Sequence, residues 1–162
     1  MGIVGTRAWL RPAGVEDEGF LFDVFSTTWQ HAVAAMPNPD LVRHFLRIQY
    51  TAQNRRFAAR FNDHERAVVM HGGRPIGRVY LHRSEAVVTV IDMSLLPEHH
   101  SQGIGRSLLR DILEDAGQRG QAVALRVARR NTRAMSLYEA EGFRLSTMDD
   151  LDAYFEWTPP AA

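Results

Sequence analysis

The stretch Leu95-Leu96-Pro97-Glu98-His99-His100-Ser101-Gln102-Gly103-Ile104-Gly105-Arg106 joins a β-branched apolar run to a segment of helical periodicity. The first turn of a helix carries backbone N–H groups without intrahelical partners, at the positive end of the helix dipole. Gly103 and Gly105 remove side chains that would block approach to them. Such a turn can cradle a pyrophosphate with backbone donors alone. Other phosphate loops fit poorly. A Walker loop needs Lys followed by Ser or Thr after its second glycine, where this chain has Arg106-Ser107 with the wrong glycine spacing. A dinucleotide fingerprint needs a third small residue where Leu108 stands, and an acidic residue near the end of the next strand, where Arg126 and Ala128 stand. On the glycines alone, an ordinary tight strand-to-helix turn remains an equal reading. His99 and His100 are neighbours on one loop with no third ligand in view, so no metal is expected.

A second stretch, Asn131-Thr132-Arg133-Ala134-Met135-Ser136-Leu137-Tyr138-Glu139-Ala140-Glu141-Gly142-Phe143, follows one strand later. By themselves its residues have plain explanations. Asn is a favoured N-cap, and Tyr138, four residues after Ala134, could be a core aromatic. Taken together, however, this stretch resembles the closing motif of the GCN5-related N-acetyltransferase family. Residues Leu95 to Leu109 resemble the same family's acyl-CoA motif. The two stand in the family's order, and the resemblance covers about Val87 to Phe143. The first sixty residues match only in the order of elements.

The resemblance implies an N-acetyltransferase that moves an acetyl group from acetyl-CoA to a primary amine by direct attack. Gln102, Gly103, Ile104, Gly105, Arg106 and Ser107 would hold the pyrophosphate through backbone amides. Met93 and Leu95 would bond the pantetheine arm, and a strand amide there would polarise the thioester carbonyl. Asn131 would touch the pantetheine side, and Tyr138 would be the general acid for the departing thiolate. Family members usually carry Gln or Arg where this chain has His100, and often Gly in place of Ser101; a phosphate contact from His100 is the weakest of these assignments. Some relatives carry a Glu where Arg126 stands. For the amine's proton that leaves Asp92, on the pantetheine strand, then Glu98, or a water. Strand alternation groups Asp92 with Val90 and Ser94, opposite Met93; a bulge, common in this family's strand, would reset that alternation. A different class of function, an acyl-CoA-binding or sensing module without turnover, stays open; Tyr138 argues against it.

These motifs need a sheet and helices to hold them, and the rest of the chain supplies the pattern. The chain has 162 residues, 45% hydrophobic and 23% charged, which suits one domain, residues 1–162. Nineteen basic residues balance nineteen acidic ones, giving no electrostatic case for nucleic acid or a membrane surface. Cysteine is absent, which excludes disulfides, thiolate zinc sites and cysteine nucleophiles in this chain. No apolar run approaches the roughly 18 residues a membrane span needs, and Met1 to Leu10 has no leader-like pattern, so a cytoplasmic protein is expected. Met1-Gly2 with Thr6 fits the loose myristoylation pattern, which is common by chance.

The patterning predicts an edge strand over Thr6 to Arg11 and a helix over Val15 to Thr28. A loop follows over Trp29 to Pro39, because Pro37 and Pro39 bar a helix. A second helix starts with Asp40 as N-cap and runs to about Arg60, with Leu41, Phe45, Ile48 and Ala52 as its stripe. Next come a hairpin (Ala67 to His71 and Ile76 to His82), a strand over Ala86 to Leu96 and a helix from Ile104 to Gly117 or Gly120. The chain closes with a strand over Ala122 to Val127, a helix over Asn131 to Glu141, and strands over Phe143 to Met148 and Tyr154 to Trp157. The fold class expected is α/β, a single mixed central sheet with flanking helices, the acyl-CoA N-acyltransferase arrangement. The Trp29 to Pro39 loop and the acidic turn Asp149-Asp150-Leu151-Asp152 are expected to border the acceptor site, the acids either drawing a cationic amine or simply solvated. The acceptor, a small molecule or a peptide, is not readable, and a homodimer is left open.

Overall fold

The computed structural model describes residues 7–161. The myristoylation pattern and the start of the first strand at Thr6 lie outside the described residues. In chain order the elements are β1 (Trp9–Pro12), α1 (Glu18–Thr27), α2 (Gln30–Val33), α3 (Pro39–Arg60), β2 (Glu65–His71), β3 (Arg74–Arg83), β4 (Val87–Leu95), α4 (Ile104–Gln118), β5 (Ala122–Ala128), α5 (Thr132–Ala140), β6 (Arg144–Met148) and β7 (Asp152–Trp157). The strands form one seven-stranded sheet in the order β1-β2-β3-β4-β5-β7-β6. Among the described residues only β4 and β5 pair in parallel, as the intervening α4 crossover requires.

Two apolar layers cover the sheet. On one face α4 drives Leu108, Leu109, Ile112, Leu113 and Ala116 onto Val79, Val88, Val90, Val123 and Leu125. On the other, α1 and α3 bring Leu21, Phe22, Phe25, Leu46, Tyr50 and Phe57 against Val68 and Tyr80. The mixed sheet and its flanking helices are as expected. The stripe on α3 is so only in part, since Phe45 packs against this core but two other members do not. Leu41 and Ile48 are 57% and 52% exposed, and the buried positions are Leu46, Tyr50 and Phe57. Spacings of four and seven residues are helical in both registers, and the register chosen is the one whose face also holds Gln53, which reaches a buried arginine described below. The N-cap of α3 is Asn38, not Asp40: Asn38 Oδ1 accepts the Asp40 N–H at 2.9 Å, with Pro39 at the first helical position. Proline suits that position because its missing N–H would have no partner there. The expected loop over Trp29 to Pro39 also contains the single turn α2.

Two irregularities in β4 set up the site. Its parallel ladder with β5 spans only Val87↔Ala122 to Val90↔Leu125, after which the strands part. Immediately beyond, β3 pairs Leu81 with Val90 and Tyr80 with Asp92, leaving Ile91 as a bulged residue. Asp92 therefore does not share a face with Val90. It lies on the α3 face, while Met93 and Leu95 return to the α4 face. The bulge resets the simple alternation.

The far end of β4 is held close to β3 by Gly77, which pairs with Leu95. A Cβ on Gly77 would lie 2.4 Å from the Ser94 carbonyl oxygen and 2.7 Å from Leu95 Cδ2. Gly77→Ala should force the two strands apart. The expected cost is roughly 1–3 kcal/mol, as for other overpacked sites, read as a lower Tm in thermal unfolding; an unchanged Tm would show that the strands do not need this approach.

Candidate active site

The parting of β4 and β5 opens a groove on the α4 face, with a volume of about 780 Å³ and Met93, Leu95, Gly103, Gly105, Asn131 and Tyr138 in its walls. This is within the usual range for a small-molecule site. The orientation of the β4 backbone follows from one bond. Leu96 N–H donates to the Ile76 carbonyl of the β3 segment at 2.8 Å. In an antiparallel ladder alternate residues point both backbone groups at the partner, so Ser94 also faces β3, and Met93 and Leu95 turn their N–H and C=O groups the other way. The Leu95 carbonyl confirms the direction, since it accepts from His100 Nε2 at 2.7 Å. Met93, through both backbone groups, and Leu95, through its N–H, thus present a strand edge to the groove.

The N-terminus of α4 closes one end. Gly103 is the N-cap, with φ of 78°, and a Cβ on either Gly103 or Gly105 would meet nothing within 4 Å. The space above the first-turn amides of Ile104, Gly105 and Arg106 is open. The Ile104 side chain is buried in the core, so only its backbone faces the groove. Ser107 departs from the expectation. Its amide donates to the Gly103 carbonyl at 3.0 Å, closing the first helical turn, and is not free to bind an anion. Gln102 is outside the groove walls, and its Nε2 donates to the Glu98 carbonyl at 3.0 Å. His100 lines the groove, but its ring is tied back to β4 as described. Ser101 has φ of 61°, the left-handed region that explains why a glycine would serve there. Its hydroxyl accepts a hydrogen bond from Arg133 at the start of α5. Sequence reasoning missed Arg133, which lines the groove beside Asn131. Arg106, by contrast, is paired with Glu141 at 3.1 Å.

Asn131 caps α5, its Oδ1 accepting the Ala134 N–H at 3.2 Å. That occupies one atom of the amide and leaves its NH₂ at the groove. Tyr138 packs against Phe143 and Phe155 at ring separations of 5.7 and 6.2 Å while lining the same groove. Burial, and secondarily the Asp92 carboxylate, push its phenol above the ordinary tyrosine range. At neutral pH it is therefore the protonated donor.

Asp92 is on the other face. Its Oδ2 accepts from Arg78 Nε at 2.7 Å and from Ser94 Oγ at 3.2 Å. Arg78 is 1% exposed, and its NH2 group donates to Gln53 Oε1 of α3 at 2.9 Å. Asp92 is thus the counter-ion of a buried guanidinium. Glu98 is exposed in the turn before α4 and is not a groove wall. Among the described residues no group of three or more His, Cys, Asp or Glu side chains could hold a metal.

The acidic turn is built for itself. Asp149 Oδ1 accepts the amides of Leu151 and Asp152 at 2.9 and 2.7 Å, and Asp152 approaches Arg126 at 3.8 Å. Neither this turn nor the Trp29 to Pro39 segment lines the cavity that does exist on the α3 face. That cavity, about 320 Å³, lies between α3 and the exposed faces of β4, β5 and β7, with Ile91 and Arg126 at the point where the strands part.

The Acetyltransferase (GNAT) family model matches residues 26–143. The chain belongs to this family. The ribosomal protein bS18-alanine N-acetyltransferase of Escherichia coli is 34% identical over 61 residues, which are 37% of this chain and 41% of that protein. The match thus spans about two fifths of the length of that curated relative. Among solved structures, the PaiA N-acetyltransferase of Thermoplasma acidophilum in complex with coenzyme A superposes with a TM-score of 0.69 at 21% identity, covering 93% of this chain and 98% of that one. An acetyltransferase from Thermus thermophilus gives 0.66 at 20% identity, over 94% and 97% of the two chains. At these identities the structural likeness establishes the GNAT fold.

The geometry at Asp92 yields a prediction. Removing one partner of a buried ion pair leaves an uncompensated charge, at a cost of roughly 3–5 kcal/mol; Asp92 keeps some water contact, so the lower end applies. Asp92→Asn should lower Tm by several degrees and leave the shape of the pH–rate profile unaltered. A stable variant whose lost turnover returns at high pH would instead make Asp92 the base.

Proposed function

We propose that this chain is an acetyl-CoA-dependent N-acetyltransferase acting on a primary amine by direct attack. The observation that carries the reading is the convergence on one groove of a free β4 edge at Met93 and Leu95, the open first turn of α4, and the Tyr138 phenol. A pantetheine arm is itself a chain of amides, so it can complete the ladder that β5 abandons. The amides of Ile104, Gly105 and Arg106, with Arg133 beside them, suit a pyrophosphate. Asn131 is assigned to the pantetheine side through its uncapped NH₂.

In the transfer the acceptor nitrogen attacks the thioester carbonyl carbon, polarised by a β4 amide in the Met93 to Leu95 region. The C–N bond forms, the C–S bond breaks, and the sulfur takes the Tyr138 proton. The amine's surplus proton leaves to water, with Asp92 engaged by Arg78. Tyr138 then recovers its proton from solvent. With the phenol held above its usual range, the acid form persists across neutral and mildly alkaline pH.

Gly105→Val tests the cradle. Nothing lies within 4 Å of the added Cβ, so the protein should fold while the isopropyl group fills the phosphate space. CoA affinity by calorimetric titration should fall roughly 10-fold or more, the loss of one or more charge-assisted hydrogen bonds. Undiminished affinity would remove the assignment. Tyr138→Phe tests the acid. It should cut kcat by roughly 10²–10⁴-fold with CoA affinity little changed, whereas normal turnover would reduce Tyr138 to packing. A protein that binds CoA tightly but releases no thiol with any amine would be a sensing module.

A further inference from the structure

The α3-face cavity carries charge that the transfer mechanism does not use. Arg56 and Arg60 stand one turn apart on α3, and both line it together with Arg126 of β5. All three side chains are exposed at the cavity rather than folded into the core. Arg126 has a distant partner in Asp152, at 3.8 Å. Arg56 and Arg60 make no ion pair among the described residues. Among the described residues, Glu156 is the one carboxylate in the lining, and Tyr154 the one phenol. Much of the wall is apolar, including Phe57, Phe61, Ile91 and Phe155. Guanidiniums over such a wall act with less water screening than they would on an open surface.

The cavity and the groove both border β4. Ile91 lines one and Met93 the other, two residues apart on the strand that is open beyond Val90. The two spaces thus flank the same stretch of β4 on opposite faces of the sheet, the cavity over the last paired residues, Val90 and Leu125, and the groove just beyond them. A small molecule in the cavity would need to extend only past Ile91 to reach the stretch of β4 that lines the groove.

We infer that the acceptor is a small primary amine that also carries an anionic group, a carboxylate or a phosphate, held by Arg56, Arg60 and Arg126 on the α3 side. The inference rests on the acetyl-transfer reading for the role of that molecule, but the binding it describes does not. The guanidinium fork matches both oxyanions. The same charges also serve the chemistry. A positive field disfavours the ammonium form of the bound amine, so the nucleophile is deprotonated without a dedicated carboxylate. Asp92, tied to Arg78, need not supply one. The cavity's volume of about 320 Å³ suits a metabolite-sized ligand better than a folded protein surface.

Matched pairs of probes separate the possibilities: alanine against alaninamide for the carboxylate, and O-phosphoethanolamine against ethanolamine for the phosphate, with spermidine as a cationic control. Each is titrated calorimetrically into the CoA-loaded protein, and each is assayed for thiol release with acetyl-CoA. The anionic member of at least one pair should bind at least tenfold more tightly than its partner, and which pair does so identifies the oxyanion. Arg56→Gln/Arg60→Gln should erase that preference, raising Kd roughly 10- to 100-fold, the range of charge-assisted hydrogen bonds. CoA affinity of the variant should be unchanged, because the groove is on the other face. Equal binding within both pairs, tighter binding of spermidine, or a preference that survives in the double variant would overturn the inference. Anion-selective binding without thiol release would instead overturn acetyl transfer and leave the anion site standing. Turnover of neutral or cationic amines with no anion preference would do the reverse.

Discussion

The site depends on two neighbouring parallel strands that stop pairing halfway along their length. Up to Val90 and Leu125, β4 and β5 satisfy one another. Beyond that point each keeps only its outer partner, β3 or β7. Backbone N–H and C=O groups turned away from a ladder must find another partner or face solvent. Met93 and Leu95 bear such groups in the middle of a sheet rather than at its edge. A ligand with peptide-like amides is the natural occupant, and the first turn of α4 places an anion-binding end beside it.

On the opposite face, a buried polar network under α3 ties this stretch of β4 to β3 and the helices. Arg78 lies flat under the helices with Asp92, Gln53 and Tyr80 around it. Next to it Arg66 bridges Glu18 and the Tyr50 hydroxyl. Burial pushes the Tyr50 phenol up to about 12, so it remains a donor to Glu18, at 2.9 Å. The bulge at Ile91 is what turns Asp92 toward this network. One extra residue thus divides β4 into a stretch that serves the core and a stretch that serves the groove.

Much of this was legible in the chain. The glycine pair before an amphipathic helix, and the Asn131 to Phe143 stretch after one strand, marked the groove because backbone geometry at a helix start follows from local sequence. The element order followed from periodicity for the same reason. What was not legible depends on tertiary partners. The α3 stripe follows Leu46, Tyr50 and Phe57 because these meet Phe22, Val68 and Tyr80 in the core, tertiary partners that no local pattern reveals. The Asp92 pairing needed the position of the bulge. Ser107 is a different case: with the helix starting at Ile104 its amide bonds the Gly103 carbonyl, which local helix geometry already implied. The placement of β7 between β5 and β6 put Tyr154 and Glu156 into the α3-face cavity, a long-range pairing with no local signature. Arg126 stood out in sequence only as the absence of an acid; its meaning comes from Arg56 and Arg60 across the same space.

Residue-resolved amide hydrogen exchange, with and without CoA, tests the central claim most directly. The account predicts that exchange slows at Met93, Leu95, Ile104, Gly105 and Arg106 when CoA is added, because these amides gain partners. Ser94, already paired with β3, and Ser107, already bonded to Gly103, should change far less. If Met93 and Leu95 exchange as fast with saturating CoA as without it, the free β4 edge is not the binding surface and the account fails.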